Sequence, residues 1–542
     1  MSDLKLKDPV KFTWALIAVT TIIRLIIAGT TGLGTGESYY ARGALDLQLS
    51  YFDQPPLFFW LSGLSLELLG VNNFAIRLPA VLLFIGTQWL LFLLTQRLFN
   101  SWAGFFSVLI LNFSFVFTVP IAAWFQPDAP LMFFWLLSCF LLLKIFFLAD
   151  GARDGSPEPE ENPFLMWCYL GTALGLTALS KYHAILFVAS GFILVVIDAR
   201  QRHWIRHPAP YVALFIALLI SIPVLIWNSE NGWVSFTFQG SRAGSGQGFE
   251  LRFDRLLRSI VGQALWLAPW IWIPLLGQLV ASYHKRKTSP SYAFIFWMAV
   301  IPIVFFTIIT LWSRTGFHFH WQAPGYLMLF IPLGALVANQ LTAHGSSKRR
   351  TRRWLIGSGV ATVSIAILLL VHTETGLWRT YGPAFLIEKS IGKSDPTIEG
   401  TDYDEIAQRF DKEGWLEEDD LFVGSTRWWQ AGKIDWPLKG KMEVIIFDRD
   451  PRNYAFLSEP KKYLGSNAII VTHSSSQTVE TNVAPFFDQL MSLDGIEILR
   501  NGVIERTLDV YYGTNFRIPE KPFKDMPLYR QLIGAPPFNN LD

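Results

Sequence analysis

The chain has 542 residues, of which 51% are hydrophobic and only 16% are charged. Because soluble domains carry about 25% charged residues, this composition argues against an ordinary soluble protein. The net charge of +2 argues against a nucleic-acid partner, and the two cysteines, Cys139 and Cys168, both in apolar runs, argue against a disulfide framework or a cysteine zinc site.

Eleven apolar stretches predict transmembrane helices, since a bilayer core needs about 20 apolar residues per span. They are 12–29, 78–96, 103–120, 129–148, 165–180, 183–199, 208–226, 259–283, 290–311, 323–342 and 354–372. The 45 basic and 43 acidic residues are spread unevenly, and 46 of these 88 follow residue 372. We therefore predict a polytopic α-helical membrane domain at 1–372 and a soluble C-terminal α/β domain at 373–542.

Basic residues set the predicted orientation. With the N-terminus in the cytoplasm, the inner loops hold 16 Lys and Arg and the short outer loops hold 8, which follows the positive-inside rule. An odd number of spans then places the C-terminal domain outside a multi-pass protein of the inner (plasma) membrane. The outer loops, at 30–77, 120–129, 227–258 and 312–322, are rich in Trp, Tyr, Asp and His, so chemistry is predicted on the outer face. The acidic stretch 150–163 is typical of a flexible linker.

The tail alternates strand-like and helix-like segments, which predicts a small mixed α/β domain. The predicted strands are Leu421–Gly424, Glu443–Phe447, Ala468–Thr472, Ile496–Leu499 and Asp509–Tyr512, with a helix at Tyr403–Asp411. This segment has no Gly-rich phosphate loop, so a nucleotide site there is unsupported.

The first outer loop carries two carboxylates, Glu37 and Asp53, flanked by aromatic residues. Carboxylates at a membrane surface suit general-base catalysis or metal binding. An alternative is that they cap short interfacial helices or pair with Arg42 and Arg77.

Two further ionisable residues lie at predicted span ends. Asp128, close to two prolines, is either the N-cap of a membrane helix or a carboxylate held rigidly at the membrane surface. Lys181, between two apolar runs, suits a lipid phosphate, and the alternative is that it snorkels to the headgroups.

Two histidines, His318 and His320, lie two residues apart at the mouth of a predicted helix. In extended backbone they would share a face, which suggests a metal pair.

Taken together, the loops resemble family 39 of the lipid-linked glycosyltransferases. This family is the bacterial branch of the dolichyl-phosphate-mannose-protein mannosyltransferase superfamily. The family has the GT-C fold and includes the aminoarabinose transferases. The matching motifs are Glu37–Tyr40, Tyr51–Pro56, Ala75–Pro79, Gln126–Leu131, Gly175-Leu176 with Ser180–Tyr182, Trp227-Asn228 with Gly232–Phe236, and His320–Pro324. They cover about 1–345 in order. The family's usual catalytic aspartate is replaced here by Gly36, which leaves its role to another carboxylate.

The resemblance implies transfer of a sugar from a polyprenyl phosphate to a lipid A, glycolipid, polysaccharide or protein acceptor, with inversion. The partners implied are the lipid-linked sugar, a lipid or glycan acceptor and the bilayer, and no cofactor is required beyond an optional divalent metal. The predicted site residues are Glu37, Asp128 and Asp53 for catalysis, Tyr39, Tyr40, Lys181, Tyr182, Arg242, His320 and Trp321 for substrate binding, and Asp53, His318 and His320 for the optional metal.

Two other classes compete with this interpretation. A polysaccharide ligase or polymerase is favoured by the arginines of one outer loop, which are Arg242, Arg252, Arg255 and Arg258. A transporter of lipid-linked sugars would show inverted repeats or intramembrane charges, whereas here the polar residues collect at one face.

Overall fold

The structure is a computed structural model that describes residues 8–147, 162–244, 250–313, 318, 320–381 and 395–538. The predicted linker at 150–163 lies outside the described residues except for its last two positions. Within the described part of the chain, seven helices are long and apolar enough to cross a membrane. They are Pro9–Thr30, Asn73–Leu98, Asp128–Phe146, Pro163–Ser180, Pro290–Leu311, Ala323–Thr342 and Ser346–Thr375.

Three further predicted spans are helix pairs bent at a short break, and counting each pair as one span gives up to ten. The pairs are Ser101–Leu111 with Phe115–Ala123, Ala209–Ile220 with Ile222–Glu230, and Phe253–Leu267 with Pro269–Lys285, bent by 91°, 48° and 110°. At the sharpest bend Ala268 has a positive φ of 67°, and the Pro269 ring cannot continue the preceding helix.

The structure supports the predicted polytopic helical domain, with seven to ten candidate spans by length and composition among the described residues. The remaining predicted span, 183–199, is the helix Ala184–Ile197, which has 14 residues. At 1.5 Å per residue it covers about 21 Å, less than the roughly 30 Å of a bilayer core. The remaining helices of this domain are shorter, and they are Thr35–Leu45 (the first-loop helix), Leu57–Leu69, Arg202–Arg206, Val234–Ala243 and Leu377–Tyr381.

Helix ends meet on one face of the membrane domain. The side chain of Arg77, near the start of one long helix, donates to the carbonyl of Thr31, just past the end of the first. Asp128 likewise opens a helix and contacts Lys181, which follows the end of another. The first long helix has 22 residues and is therefore about 33 Å long, so its start lies near the opposite face.

The C-terminal domain contains a five-stranded mixed sheet of order β2-β1-β3-β5-β4. The strands are β1 Leu421–Ser425, β2 Val444–Ile446, β3 Asn467–Thr472, β4 Gln489–Arg500 and β5 Val503–Thr514. β1 is parallel to β2 and β3, whereas β5 is antiparallel to β3 and β4. All five predicted strands are therefore present.

Apolar side chains cover both faces of this sheet. One face packs against Asp404–Lys412, close to the predicted helix, and against Trp428–Leu438, which we call the docking helix. The smaller helical segments of the domain are Pro396–Gly400, Trp415–Glu417, Tyr454–Leu457, Pro460–Tyr463, Ser476–Asn482, Ala484–Phe486 and Pro527–Leu532.

The docking helix lies directly on the first-loop helix. They approach so closely at Gly432 that a Cβ there would lie 2.6 Å from the Tyr39 Cα. Beside this contact, the Asp402 carboxylate accepts from the Leu33 N–H at 2.9 Å and from the Asn73 side chain at 2.5 Å. The C-terminal domain is thus held against the first outer loop by backbone contact and buried polar bonds.

Candidate active site

Glu37 is held in a buried ion pair with Arg77. Its two oxygens accept from the guanidinium Nε and Nη2 at 2.7 and 2.6 Å. The backbone N–H groups of Gly34 and Phe125 donate to the same oxygens at 2.9 and 2.7 Å. These bonds use the four acceptor positions of a carboxylate. In this arrangement Glu37 joins the first outer loop to the second. It pairs with Arg77, which was the alternative to a catalytic role for this carboxylate.

Asp128, Lys181 and His320 form one buried cluster. The Lys181 ammonium lies 3.0 and 2.9 Å from the two Asp128 oxygens. The Nδ1 of His320 lies 2.8 Å from Asp128 Oδ2 and 3.0 Å from Lys181 Nζ. Lys181 is only 3% exposed, so its charge is positioned by partners rather than extended freely to the headgroups.

The two histidines of the 318–320 segment face different partners. Their ring planes are 89° apart, and the His318 ring stacks on Trp321 at 4.6 Å. His318 Nε2 lies 3.2 Å from an Arg242 nitrogen, and that guanidinium lies 5.5 Å from the Trp321 ring. Each ring is thus turned to a separate neighbour, and a metal pair formed by these two histidines stays a prediction.

Asp53 is 2% exposed and differs from the other two carboxylates in its hydrogen bonding. Its Oδ1 has no hydrogen-bond partner among the residues that the structure describes. Its backbone is fixed by Gln239, whose Nε2 donates to the Asp53 carbonyl at 2.7 Å. Burial raises the pKa of Asp53, Arg452 and Arg242 lower it, and the balance is a pKa of about 6.

Arg452 and Asn453, which follow β2 in the C-terminal domain, were not predicted as site residues. The Arg452 guanidinium lies 3.7 Å above the Trp428 ring, and its charge acts on Asp53. Asn453 accepts from the Phe52 N–H through its side chain and donates its own N–H to the Tyr39 hydroxyl, both at 3.1 Å. The available signal was a Pro-Arg-Asn turn directly after a buried strand, which is a common place for functional side chains.

The three predicted tyrosines surround this region from the membrane domain. Tyr39 interacts electrostatically with Asp53, and the Tyr40 hydroxyl accepts from Gln54 at 3.2 Å. Burial, and next to it the charge of Asp53, raises the pKa of both phenols, so both stay protonated at neutral pH. Tyr182 packs against Phe236 with ring centroids 5.6 Å apart.

The predicted metal ligands do not fit a divalent cation. Among the residues that the structure describes, no group of three His, Cys, Asp or Glu is close enough to hold a metal ion. Asp53 instead lies in the field of two guanidinium groups, and His320 contacts Asp128 and Lys181. Metal dependence therefore remains a prediction, and no step below uses a metal.

Of the arginines that suggested a ligase, Arg242 reaches the site. Arg252 and Arg258 instead lie 3.0 and 3.5 Å from Asp254, and Arg255 donates to the Ser313 carbonyl. Arg252 and Arg258 thus pair within their own segment, and Arg255 binds the backbone of another segment.

Comparison with known proteins links this site to glycosyltransferases. The family model described as dolichyl-phosphate-mannose-protein mannosyltransferase matches residues 53–227. The undecaprenyl phosphate-α-4-amino-4-deoxy-L-arabinose arabinosyl transferase 2 of Proteus mirabilis is 24% identical over 308 residues, covering 54% of this chain and 50% of the relative. The corresponding transferase of Pseudomonas aeruginosa is 25% identical over 350 residues, covering 61% and 58%. The chain thus spans between half and three fifths of the curated relatives it matches.

A solved structure matches over nearly the whole chain. The crystal structure of ArnT from Cupriavidus metallidurans bound to undecaprenyl phosphate aligns with a TM-score of 0.58 and 16% identity, covering 93% of this chain and 97% of that one. The resemblance drawn from the loop motifs is thereby confirmed: this multi-pass membrane protein has the GT-C fold with a C-terminal sheet domain and is similar to lipid-linked glycosyltransferases of the aminoarabinose-transferase type.

Proposed function

We propose that this protein transfers a sugar from a polyprenyl-phosphate donor to an envelope acceptor, with inversion at the anomeric carbon. The acceptor is lipid A, another glycolipid, a polysaccharide or a protein, and the site faces the periplasmic side of the inner membrane. The observation that carries the proposal is Asp53, a buried carboxylate with one unpartnered oxygen that lies in the field of Arg242 and Arg452. The names of the relatives, which include undecaprenyl phosphate, support this donor class.

In this proposal Asp53 is the general base. A buried carboxylate oxygen without a hydrogen bond costs free energy. Binding of a substrate hydroxyl that donates to this oxygen is therefore favoured. With a pKa of about 6, the carboxylate is mostly ionised at neutral pH and still basic enough to take a proton. As the acceptor oxygen bonds to the anomeric carbon, its proton passes to Asp53. The bond from that carbon to the phosphate oxygen breaks, and the polyprenyl phosphate leaves with the electron pair.

Lys181 and Arg242 stabilise the departing phosphate. Negative charge grows on the phosphate as the bond breaks, and preorganised cations in a shielded site lower the barrier for that change. Asp128 holds the Lys181 ammonium in place, so Asp128 acts as a positioning residue in this scheme. Glu37 keeps the loop in shape through Arg77. No metal, nucleotide or nucleic acid enters the scheme.

The test is release of polyprenyl phosphate by the purified protein in proteoliposomes, with donor and envelope glycolipids supplied. Asp53→Asn keeps the size of the side chain and removes the base, so we expect the rate to fall by about 10²–10⁴-fold. Asp254→Asn is the matched control, because Asp254 is exposed and pairs with Arg252 outside the site. Near-normal turnover of Asp53→Asn would exclude this role.

A further inference from the structure

The C-terminal domain contains a cavity of about 410 Å³ that the mechanism above does not use. Pockets that hold small ligands have volumes of about 300–1,000 Å³. The cavity lies at the carboxyl ends of β1 and β3, between the docking helix and residues 395–403. Its walls include Trp428, Trp429, Gln430, Thr472 and Arg506.

The topology of the sheet explains why a cavity forms here. From β1 the chain leads to β2 on one side, whereas from the adjacent parallel strand β3 it leads to β4 on the other side. Connections that leave two adjacent parallel strands in opposite directions open a crevice at the carboxyl ends of those strands. In open α/β sheets this is the place where ligands bind.

Hydroxyl and amide groups line the floor of the crevice. The hydroxyls of Thr426 and Thr472 lie 2.5 Å apart, and Thr426 lies 2.7 Å from the Ser474 hydroxyl. Both threonines lie 3.3 Å from the Gln430 side-chain carbonyl. Gln430 is 6% exposed and its side chain belongs to the cavity lining. An amide in a cavity wall can both donate to and accept from a polar ligand.

The two cations Lys433 and Arg506 of the cavity lining already have partners. The Lys433 ammonium donates to the carbonyls of Leu33, Glu399 and Thr401. Arg506 donates to the Tyr403 hydroxyl at 3.1 Å. The cavity thus offers indole faces and exchangeable hydroxyl and amide groups rather than a cluster of uncompensated charge. This chemistry suits an uncharged polyhydroxyl ring, whose apolar face packs on an aromatic ring while its hydroxyls bond to the floor.

We propose that this cavity binds a saccharide unit of the acceptor. The inference rests on the proposed function, and one indole connects the two regions. Trp428 lines the cavity, its ring lies 4.8 Å from the Tyr39 ring, and the Arg452 guanidinium covers it at 3.7 Å. A saccharide held here places the rest of the acceptor beside Asp53. The Asp53 carboxylate interacts electrostatically with Tyr39 and with Arg452.

The test uses the full-length protein in nanodiscs and, as probe, the water-soluble saccharides released by deacylating envelope glycolipids. Binding is measured by saturation-transfer NMR on the sugar ring protons, which needs no turnover. Trp429→Ala removes an aromatic wall, and Gln430→Glu keeps the carbonyl acceptor but removes the amide donor. Gln477→Glu is the matched control, since Gln477 is exposed in the same domain. Thermal unfolding of each variant checks that it is folded.

We expect the wild type and Gln477→Glu to bind and the two cavity variants to bind at least about tenfold more weakly. In the transfer assay, the same variants should raise KM for the acceptor with kcat nearly unchanged. The protein could show no transfer activity and still bind the saccharides, with this binding lost in the cavity variants. That result would support the cavity proposal and overturn the proposed function. Absent binding to the wild type, or equal binding to all folded variants, would overturn the cavity proposal whatever the transfer assay gives.

Discussion

Gly432→Ala tests whether close docking of the C-terminal domain sets the geometry of the active site. The added Cβ would lie 2.6 Å from the Ser38 carbonyl carbon and from the Tyr39 Cα, both in the first-loop helix. Carbon atoms pack at about 3.5–4.0 Å, so the two helices must separate by about 1 Å. Backbone atoms on both sides leave no flexible side chain to absorb the change.

A shift of this size acts on the residues that bridge the two domains. The 3.1 Å bond from the Asn453 N–H to the Tyr39 hydroxyl would lengthen beyond hydrogen-bond distance. Arg452, one residue away, would move with it relative to Asp53. A misplacement of about 1 Å in a catalytic site lowers the rate by about 10²-fold, and overpacking of this kind costs about 1–3 kcal/mol of stability.

The assay is release of polyprenyl phosphate in proteoliposomes, with limited proteolysis to report release of the C-terminal domain. Gly277→Ala is the matched control, because a Cβ there meets no atom within 4 Å. We expect the control to behave as wild type. A Gly432→Ala variant with normal turnover and normal protease resistance would show that the interface is looser than its backbone contacts indicate, and that docking does not control catalysis.

Four further predictions follow from the same geometry. The transfer rate should fall below a pH of about 6, because burial raises the pKa of Asp53 to about 6 and protonation removes the base. A rate that stays constant between pH 5 and 7 would contradict this. Lys181→Met should lower turnover by about 10²–10³-fold with a smaller effect on acceptor KM, and unchanged donor binding and rate would leave no role for Lys181 at the phosphate. Glu37→Gln should lower the stability by about 3–5 kcal/mol, since it leaves Arg77 buried with a weaker partner, and a fully stable but inactive variant would restore a catalytic role to Glu37. A cytoplasm-specific reporter fused after Asp542 should be silent, and activity there would invert the proposed topology.

The sequence predicted the features that depend on local patterns. Of the eleven apolar stretches, ten correspond to helices or bent helix pairs that are long enough to span, and all five predicted strands are present. The segment 183–199 is different, because its helix, Ala184–Ile197, has only 14 residues and polar residues flank it on both sides. Run length alone also does not show the bends, although Pro269 in the sequence marks the sharpest one.

The arrangement of the site could be predicted only in part. Asp53, Asp128, Lys181 and Arg242 were recognisable because ionisable groups at membrane depth are costly and need a reason to be there. What each carboxylate contacts depends on partners distant in the chain: Glu37 meets Arg77, 40 residues on, and Asp128 meets Lys181, 53 residues on. No local pattern distinguishes a carboxylate with four hydrogen bonds from one with a free oxygen, so the three were equivalent until the fold was known.

The contribution of the C-terminal domain follows from the same contacts. Gly36 brings no carboxylate to the first-loop helix, and a Cβ at Gly36 would meet no atom within 4 Å. The charged groups around Asp53 come from both domains, Arg242 from the membrane domain and Arg452 from the tail. Removing the tail would expose Tyr39, which packs against Trp428 of the tail, and would take one of two guanidinium groups away from Asp53. Loss of that charge raises the pKa of the Asp53 carboxyl, whereas better hydration lowers it. The site therefore needs the tail to keep its base shielded and its cations preorganised, and the membrane domain alone would retain the lysine and lose that environment.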